Sequence, residues 1–231
     1  MGAYHRGPDF KVESGKAVIV LGNSERHEVG ELWGKTLDER RIFDYVDVVT
    51  LNEAAARFGR ASLRQRLKES VVFTHSAGIT RLAEARQVIA INPPEPVAGV
   101  IELMRRAAEV GKDKIDPEYG AIKTGAVDLT KAGLELARSP FSTVKTLWLI
   151  GRAGYSAVSA LIERAEDFPA GRAIVHCDED GFGFFANADL LAAVDNDIPT
   201  LVIEGAHHNE VLFRPSYILD EMTPTILPAW S

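Results

Sequence analysis

The chain has 231 residues, 46% of them apolar and 26% charged, with a formal charge of −7 at pH 7. That is length for one sizeable core and ordinary globular usage, and the acidic balance, without a Lys/Arg cluster against it, excludes a nucleic-acid surface. No apolar run reaches the roughly 20 residues that span a bilayer, residues 1–16 lack the apolar core of a secretion signal, and Cys177 is the single cysteine. The expectation is a soluble, cytoplasmic protein with one α/β domain over 1–231.

Residues 1–16 read as a loosely packed lead-in. Ala17-Val18-Ile19-Val20-Leu21 is a continuous apolar run, as in a strand buried on both faces of a parallel sheet. It stops at Gly22-Asn23-Ser24, a turn with a capping residue, and a helical pattern follows over about Arg26 to Arg40. Tyr45 to Leu51 is the next strand. Asn52 caps a helix carrying Ala54, Ala55 and Ala56, and a further helix runs from about Ser62 to Glu69. Val71-Val72-Phe73-Thr74 is a third β-prone run. It runs on to His75, breaks at Ser76-Ala77-Gly78 and continues as a helix over Ile79 to Arg86. Gln87 to Ile91 is another buried strand, closed by Asn92-Pro93-Pro94-Glu95-Pro96.

This alternation predicts right-handed crossovers and a doubly wound, mostly parallel sheet. The rhythm then changes. From Val97 to about Ser142 there is an amphipathic helix (Val100, Ile101, Met104, Ala107, Ala108), a polar turn and a second helix through Leu129 to Arg138, with no strand. Helices follow over about Val144 to Ile150 and Ser156 to Glu166. Phe168-Pro169-Ala170-Gly171 is a turn and Arg172 to His176 a strand. Asp189 to Asp195 is helical, Thr200 to Ile203 is the last strand, and a helix over about Pro215 to Met222 ends the regular structure.

The chemistry is concentrated where strands end. Strand, sharp turn and helix with Ser76 at the apex would lift its Oγ above the sheet edge and set a helix N-terminus beside it. Thr74-His75-Ser76-Ala77-Gly78 resembles the small-x-Ser-x-small elbow of the α/β-hydrolase superfamily, with Thr74 where that family most often has glycine. A serine hydroxyl is a poor nucleophile until an imidazole takes its proton, and the imidazole needs an acid to hold its tautomer. His176-Cys177-Asp178-Glu179-Asp180 resembles the family's H-G-x-x-D, which implies Asp180 as the acid, with Asp178 the alternative. Gly205-Ala206-His207-His208 resembles its g-a-g-H, which implies His208 as the base, with His207 one residue away.

Leu21-Gly22-Asn23 resembles the family's H-G-x loop, which implies Asn23 (or Ser24) and Ala77 as the two N–H donors of an oxyanion hole. The resemblance also makes 97–142 a small helical cap over the strand ends. It implies a serine hydrolase that cleaves an ester or thioester through an acyl-enzyme and needs no cofactor. Oxyanion loop, Ser, cap, Asp and His fall in the order this fold uses.

Two other readings stand beside it. One is a non-catalytic relative that binds a small molecule, with Phe182, Phe184 and Phe185 lining a pocket. The other is a metal hydrolase built on His176, Asp178, Asp180, His207 and His208, although no H-E-x-x-H or similarly tight ligand spacing is present. Nucleotide binding is disfavoured, since neither G-x-x-x-x-G-K-[ST] nor G-x-G-x-x-G follows the first strand. His75 reads as a packing or pocket-rim residue because neighbours on a strand face opposite ways. His27 reads as structural or solvated, and the acidic turn after Cys177 disfavours its thiolate.

Overall fold

Parallel strands covered on both faces are expected to be apolar on both faces, and the central runs of this chain meet that demand except at the buried Thr74, His75 and Gln87. The computed structural model describes residues 4–5, 15–21, 27–41, 43–50, 61–76, 85–93, 159–168, 171–178, 198–206 and 213–222. Within them lie β1 (Tyr4–His5), β2 (Lys16–Leu21), α1 (His27–Glu39), β3 (Tyr45–Thr50), α2 (Ala61–Glu69), β4 (Val71–His75), β5 (Gln87–Ile91), β6 (Gly171–Cys177), β7 (Thr200–Ile203) and α3 (Pro215–Met222). Every residue of β4 and β5 is buried.

The strands form one sheet in the order β1-β7-β6-β5-β4-β2-β3. All neighbours from β3 to β7 are parallel, and only β1 runs antiparallel, against β7. Here the expected loose lead-in is corrected: Tyr4 and His5 pair with Leu201 and Thr200. A two-residue edge strand is fixed by its neighbour, not by local composition, so no period betrays it.

The main core lies on one face. Ala17, Ile19, Val71, Phe73, Ile89, Ile91, Ala173 and Val175 meet Val29, Trp33 and Leu37 of α1 and Ile218, Leu219 and Met222 of α3. The spacing of Val29, Trp33 and Leu37 puts them on one stripe of α1. Phe73, in β4, is packed by Trp33 at a centroid distance of 6.4 Å and edge-on by Phe43 at 5.9 Å. At the end of α1, Arg40 bonds Asp220 at 2.6 Å and the Ser216 carbonyl at 3.0 Å, joining α1 to α3.

α2 takes the other face. Asp47 pairs in register with Val18, opposite in parity to Ala17 and Ile19, and Arg66 of α2 reaches Asp47 at 2.6 Å. The sheet is therefore doubly wound, as right-handed crossovers running in opposite directions from β2 to β3 and from β3 to β4 require.

Two element ends differ from expectation. Ala85 and Arg86 are already outside helix, with Ala85 buried at the foot of β5. The helix expected over Ser156 to Glu166 is helical at 159–163, breaks at Arg164 and ends as a 3-10 turn over Ala165–Asp167. The helices expected at Asn52 to Ala56, Val144 to Ile150 and Asp189 to Asp195, and the cap at 97–142, lie outside the described residues. Among those described, no helix is long and apolar enough to cross a membrane.

Candidate active site

β2 is the strand about which the sheet divides. The chain passes from β2 outward to β3 on one side, while β4, β5, β6 and β7 build up on the other. The strand order thus reverses between β2 and β4, and open parallel sheets bind ligands at the C-terminal ends of the strands at such switch points. Val20 pairs with Thr74, so the chain leaves β2 and β4 at the same level of the sheet. Ser76 is the first residue past β4, at that end of the sheet, and is partly exposed.

Three described non-glycine residues have left-handed backbones: Arg41 at φ 53°, Ser76 at 49° and Asn92 at 43°. Two have local explanations. Arg41 ends α1, where the left-handed turn closes a helix and its N–H reaches the Asp38 carbonyl at 2.9 Å. Asn92 is an asparagine, a residue that tolerates this region and here uses its side chain as well. Ser76 has no such local reason. A β-carbon in the left-handed region costs about 1–2 kcal/mol, and such outliers cluster where function demands a side chain in an awkward place.

The residues around it are firmly set. Thr74, the departure from the glycine of the resembling elbow, is buried and stays in register with Val20 and Ala90. β4 thus accommodates the β-branched side chain and remains regular through His75. His75 is buried, on the same parity as Phe73 and hence on the α1 face.

The ends of the next strands are tied together by side chains. Asn92, fully buried, donates its N–H to the Val175 carbonyl at 2.8 Å and accepts from the Cys177 N–H through Oδ1, also at 2.8 Å. Asp178 is exposed; its N–H reaches the Ile203 carbonyl at 3.2 Å, and its Oδ1 accepts from the Gly205 N–H at 2.7 Å. Gly205 has φ 71°, while a β-carbon there would meet nothing within 4 Å. Conformation, not space, calls for glycine at that position.

Of the residues expected to form the site in one reading or another, Ser76, His176 and Asp178 are described, at the C-terminal ends of β4 and β6, with His176 buried. Asn23, Ser24, Ala77, Asp180, His207, His208 and Phe182, Phe184 and Phe185 lie outside the described residues. Their chain neighbours Leu21, Ser76, Asp178 and Ala206 all stand at this one edge. Among the described residues no cluster of His, Cys, Asp or Glu has metal-site geometry. Sequence reasoning missed Asn92, which it took only as the start of a proline turn. An asparagine directly after a buried strand is the one signal that pointed to it.

No family model matches the chain, and no curated protein matches it in sequence. Solved structures do. A structure from work on the carboxylesterases of the thaumarchaeon Nitrososphaera gargenis superposes with a TM-score of 0.58 at 13% identity, covering 96% of this chain and 93% of that one. A membrane phospholipase A described as a bacterial virulence factor gives 0.54 at 8% identity, covering 100% and 86%. E-2-(acetamidomethylene)succinate hydrolase gives 0.50 at 17% identity, covering 98% and 99%. With a parallel sheet wound about β2 and a strained serine after β4, the chain has the α/β-hydrolase fold.

Proposed function

We propose that the protein is a serine hydrolase that cleaves an ester or thioester of a small or medium acyl group. The observation that carries this is the left-handed backbone of Ser76 at the end of β4, beside the switch point of the sheet. The carboxylesterase, phospholipase and hydrolase named among the superposing structures support the hydrolytic reading.

In this mechanism His208 removes the Ser76 proton as Oγ bonds to the substrate carbonyl carbon. Asp180 holds the imidazole in the right tautomer. The N–H groups of Asn23 and Ala77 stabilise the oxyanion. When the tetrahedral intermediate collapses, the C–O or C–S bond breaks and the leaving group takes the proton from His208. Water then attacks the acyl-enzyme, giving its proton to His208, and the carboxylic acid departs as Ser76 regains its hydrogen. The helical cap that the sequence suggests over 97–142, with its Val, Ile, Met and Leu, would supply an apolar pocket for the acyl chain. Cys177 is buried and is the single cysteine, so the chain has no internal disulfide, which fits a cytoplasmic setting.

The test is hydrolysis of p-nitrophenyl acetate, butyrate and octanoate and of octanoyl-coenzyme A by the wild type, Ser76→Ala and His208→Ala. Turnover of at least one substrate, lost in both variants, is expected. Turnover that survives in Ser76→Ala rules the mechanism out. A folded wild type inert toward the whole panel favours a ligand-binding role for the same fold.

A further inference from the structure

We infer that Asp178 is a positioning residue that holds the loop carrying the general base, with Asn92 holding the preceding strand end in the same way. This deepens the serine-hydrolase reading and rests on it.

The regular ladder ends with Ile91 paired to Val175 and with Cys177 paired to Ile203. Past those pairs, side-chain oxygens replace backbone carbonyls as acceptors. Asn92 Oδ1 takes the Cys177 N–H at 2.8 Å, and Asp178 Oδ1 takes the Gly205 N–H at 2.7 Å. Backbone bonds run alongside each: Asn92 N–H to the Val175 carbonyl at 2.8 Å and Asp178 N–H to the Ile203 carbonyl at 3.2 Å. β5 is thus bound to β6, and β6 to β7, beyond the point where strand pairing stops.

The chemical consequence follows from where the chain goes next. From Asp178 it continues through Glu179 to Asp180, and from Gly205 through Ala206 to His207 and His208. The Asp178–Gly205 bond therefore joins the roots of the two segments that must deliver an acid and a base to one another. Such groups need placement within about 0.5 Å, and a misplacement of about 1 Å can cost roughly 100-fold in rate. Gly205 sustains the arrangement with its φ of 71°, which turns its N–H into the strap where a β-carbon would resist.

The assignment also separates the two aspartates after β6, Asp178 and Asp180. A strap needs only an acceptor oxygen, which an amide supplies as well as a carboxylate does. A triad acid needs its charge, and Asp-to-Asn replacement of such an acid drops kcat by about 10,000-fold.

The experiment compares Asp178→Asn and Asp178→Ala with wild type in two ways. One is the rate of Ser76 labelling by an alkyl fluorophosphonate across pH 5 to 9 (a range chosen to bracket histidine titration). The other is amide exchange at Gly205, which needs no catalysis. Asp178→Asn is expected to label within about threefold of wild type, with the same pH midpoint and a protected Gly205 amide. Asp178→Ala is expected to label about 10- to 100-fold more slowly while Gly205 exchanges faster.

A collapse of Asp178→Asn by 1,000-fold or more overturns the assignment and makes Asp178 the acid. Unchanged labelling and exchange in Asp178→Ala overturn it as well. A wild type that takes no label at all, with Gly205 protection still dependent on Asp178, fails the serine-hydrolase reading while leaving the strap itself in place.

Discussion

Ser76 and Asn92 end neighbouring strands at one level, each a single residue beyond the His75–Ile91 pair, and both turn left-handed, at φ 49° and 43°. The two strands thus leave the sheet through the same unusual backbone, but with different supports. Asn92 is fully buried and anchored by two hydrogen bonds to β6. Ser76 is partly exposed. One residue holds the edge and the other presents a side chain from it.

Ser76 strain predicts an inverted ranking of two substitutions. Glycine normally destabilises relative to alanine by loosening the unfolded chain, by about 0.4–1 kcal/mol. At a left-handed position alanine keeps the strain of about 1–2 kcal/mol and glycine removes it. Ser76→Gly is therefore expected to be the more stable of the pair by about 0.5–1 kcal/mol. Urea unfolding of both variants decides it; alanine on top would mean that the backbone at 76 carries no strain.

Asn92 offers a matched comparison in which backbone and side chain separate. Asn92→Gly keeps the left-handed turn and loses Oδ1, leaving the Cys177 N–H without its acceptor at a cost of about 1–3 kcal/mol. Asn92→Ala loses the same bond and adds backbone strain of about 1–2 kcal/mol. Both are expected below wild type, with alanine the lower in denaturant midpoint. Equal midpoints would mean that the turn costs alanine no more than the roughly 0.4–1 kcal/mol by which glycine loosens the unfolded chain.

Gly205 tests conformation without crowding. Gly205→Ala finds open space but an unfavourable φ, so a net loss of about 0.5–1 kcal/mol is expected after the stiffer unfolded chain offsets part of the strain. Asparagine tolerates the left-handed region better, so Gly205→Asn is expected to lose less. Thermal melts of the two variants give the comparison.

Phe73 anchors the strand that presents Ser76. Its contacts with Trp33 and Phe43 and its burial predict that Phe73→Ala costs about 3–5 kcal/mol, read as a lowered midpoint in urea.

Glu69, at the end of α2, is held below its ordinary pKa of 4.5 by the Gln65 amide first and then by Lys16, which lies 3.1 Å away. A depressed folded pKa gives stability that is present above the unfolded value and lost as pH falls through the lower folded one. The group is exposed, so the effect is small. NMR titration is expected to place the Glu69 midpoint below 4.5, and Lys16→Gln to move it upward.

The central sheet was legible because its determinants are local. The runs at Ala17 to Leu21, Val71 to Phe73 and Val88 to Ile91 are apolar at every position, as burial on both faces of a parallel sheet demands. α1 was legible through the stripe of Val29, Trp33 and Leu37. What escaped is set by partners distant in sequence. Tyr4 and His5 become a strand only because β7 is beside them. The Asn92–Cys177 and Asp178–Gly205 bonds join residues 85 and 27 positions apart. For the site, the sequence picked out Ser76 from its strand-to-turn context, and the backbone there is strained. Its reading of Asp178 as a mere alternative acid could not see the bond to Gly205.

The most direct measurement is the intact mass of the protein after reaction with a fluorophosphonate, followed by peptide mapping, for wild type, Ser76→Ala and His208→Ala. In wild type an activated Ser76 Oγ displaces fluoride from phosphorus, so one adduct per chain on the peptide containing Ser76 is expected, absent in both variants. A correctly folded wild type that gains no mass, or that carries the adduct elsewhere, would contradict the account.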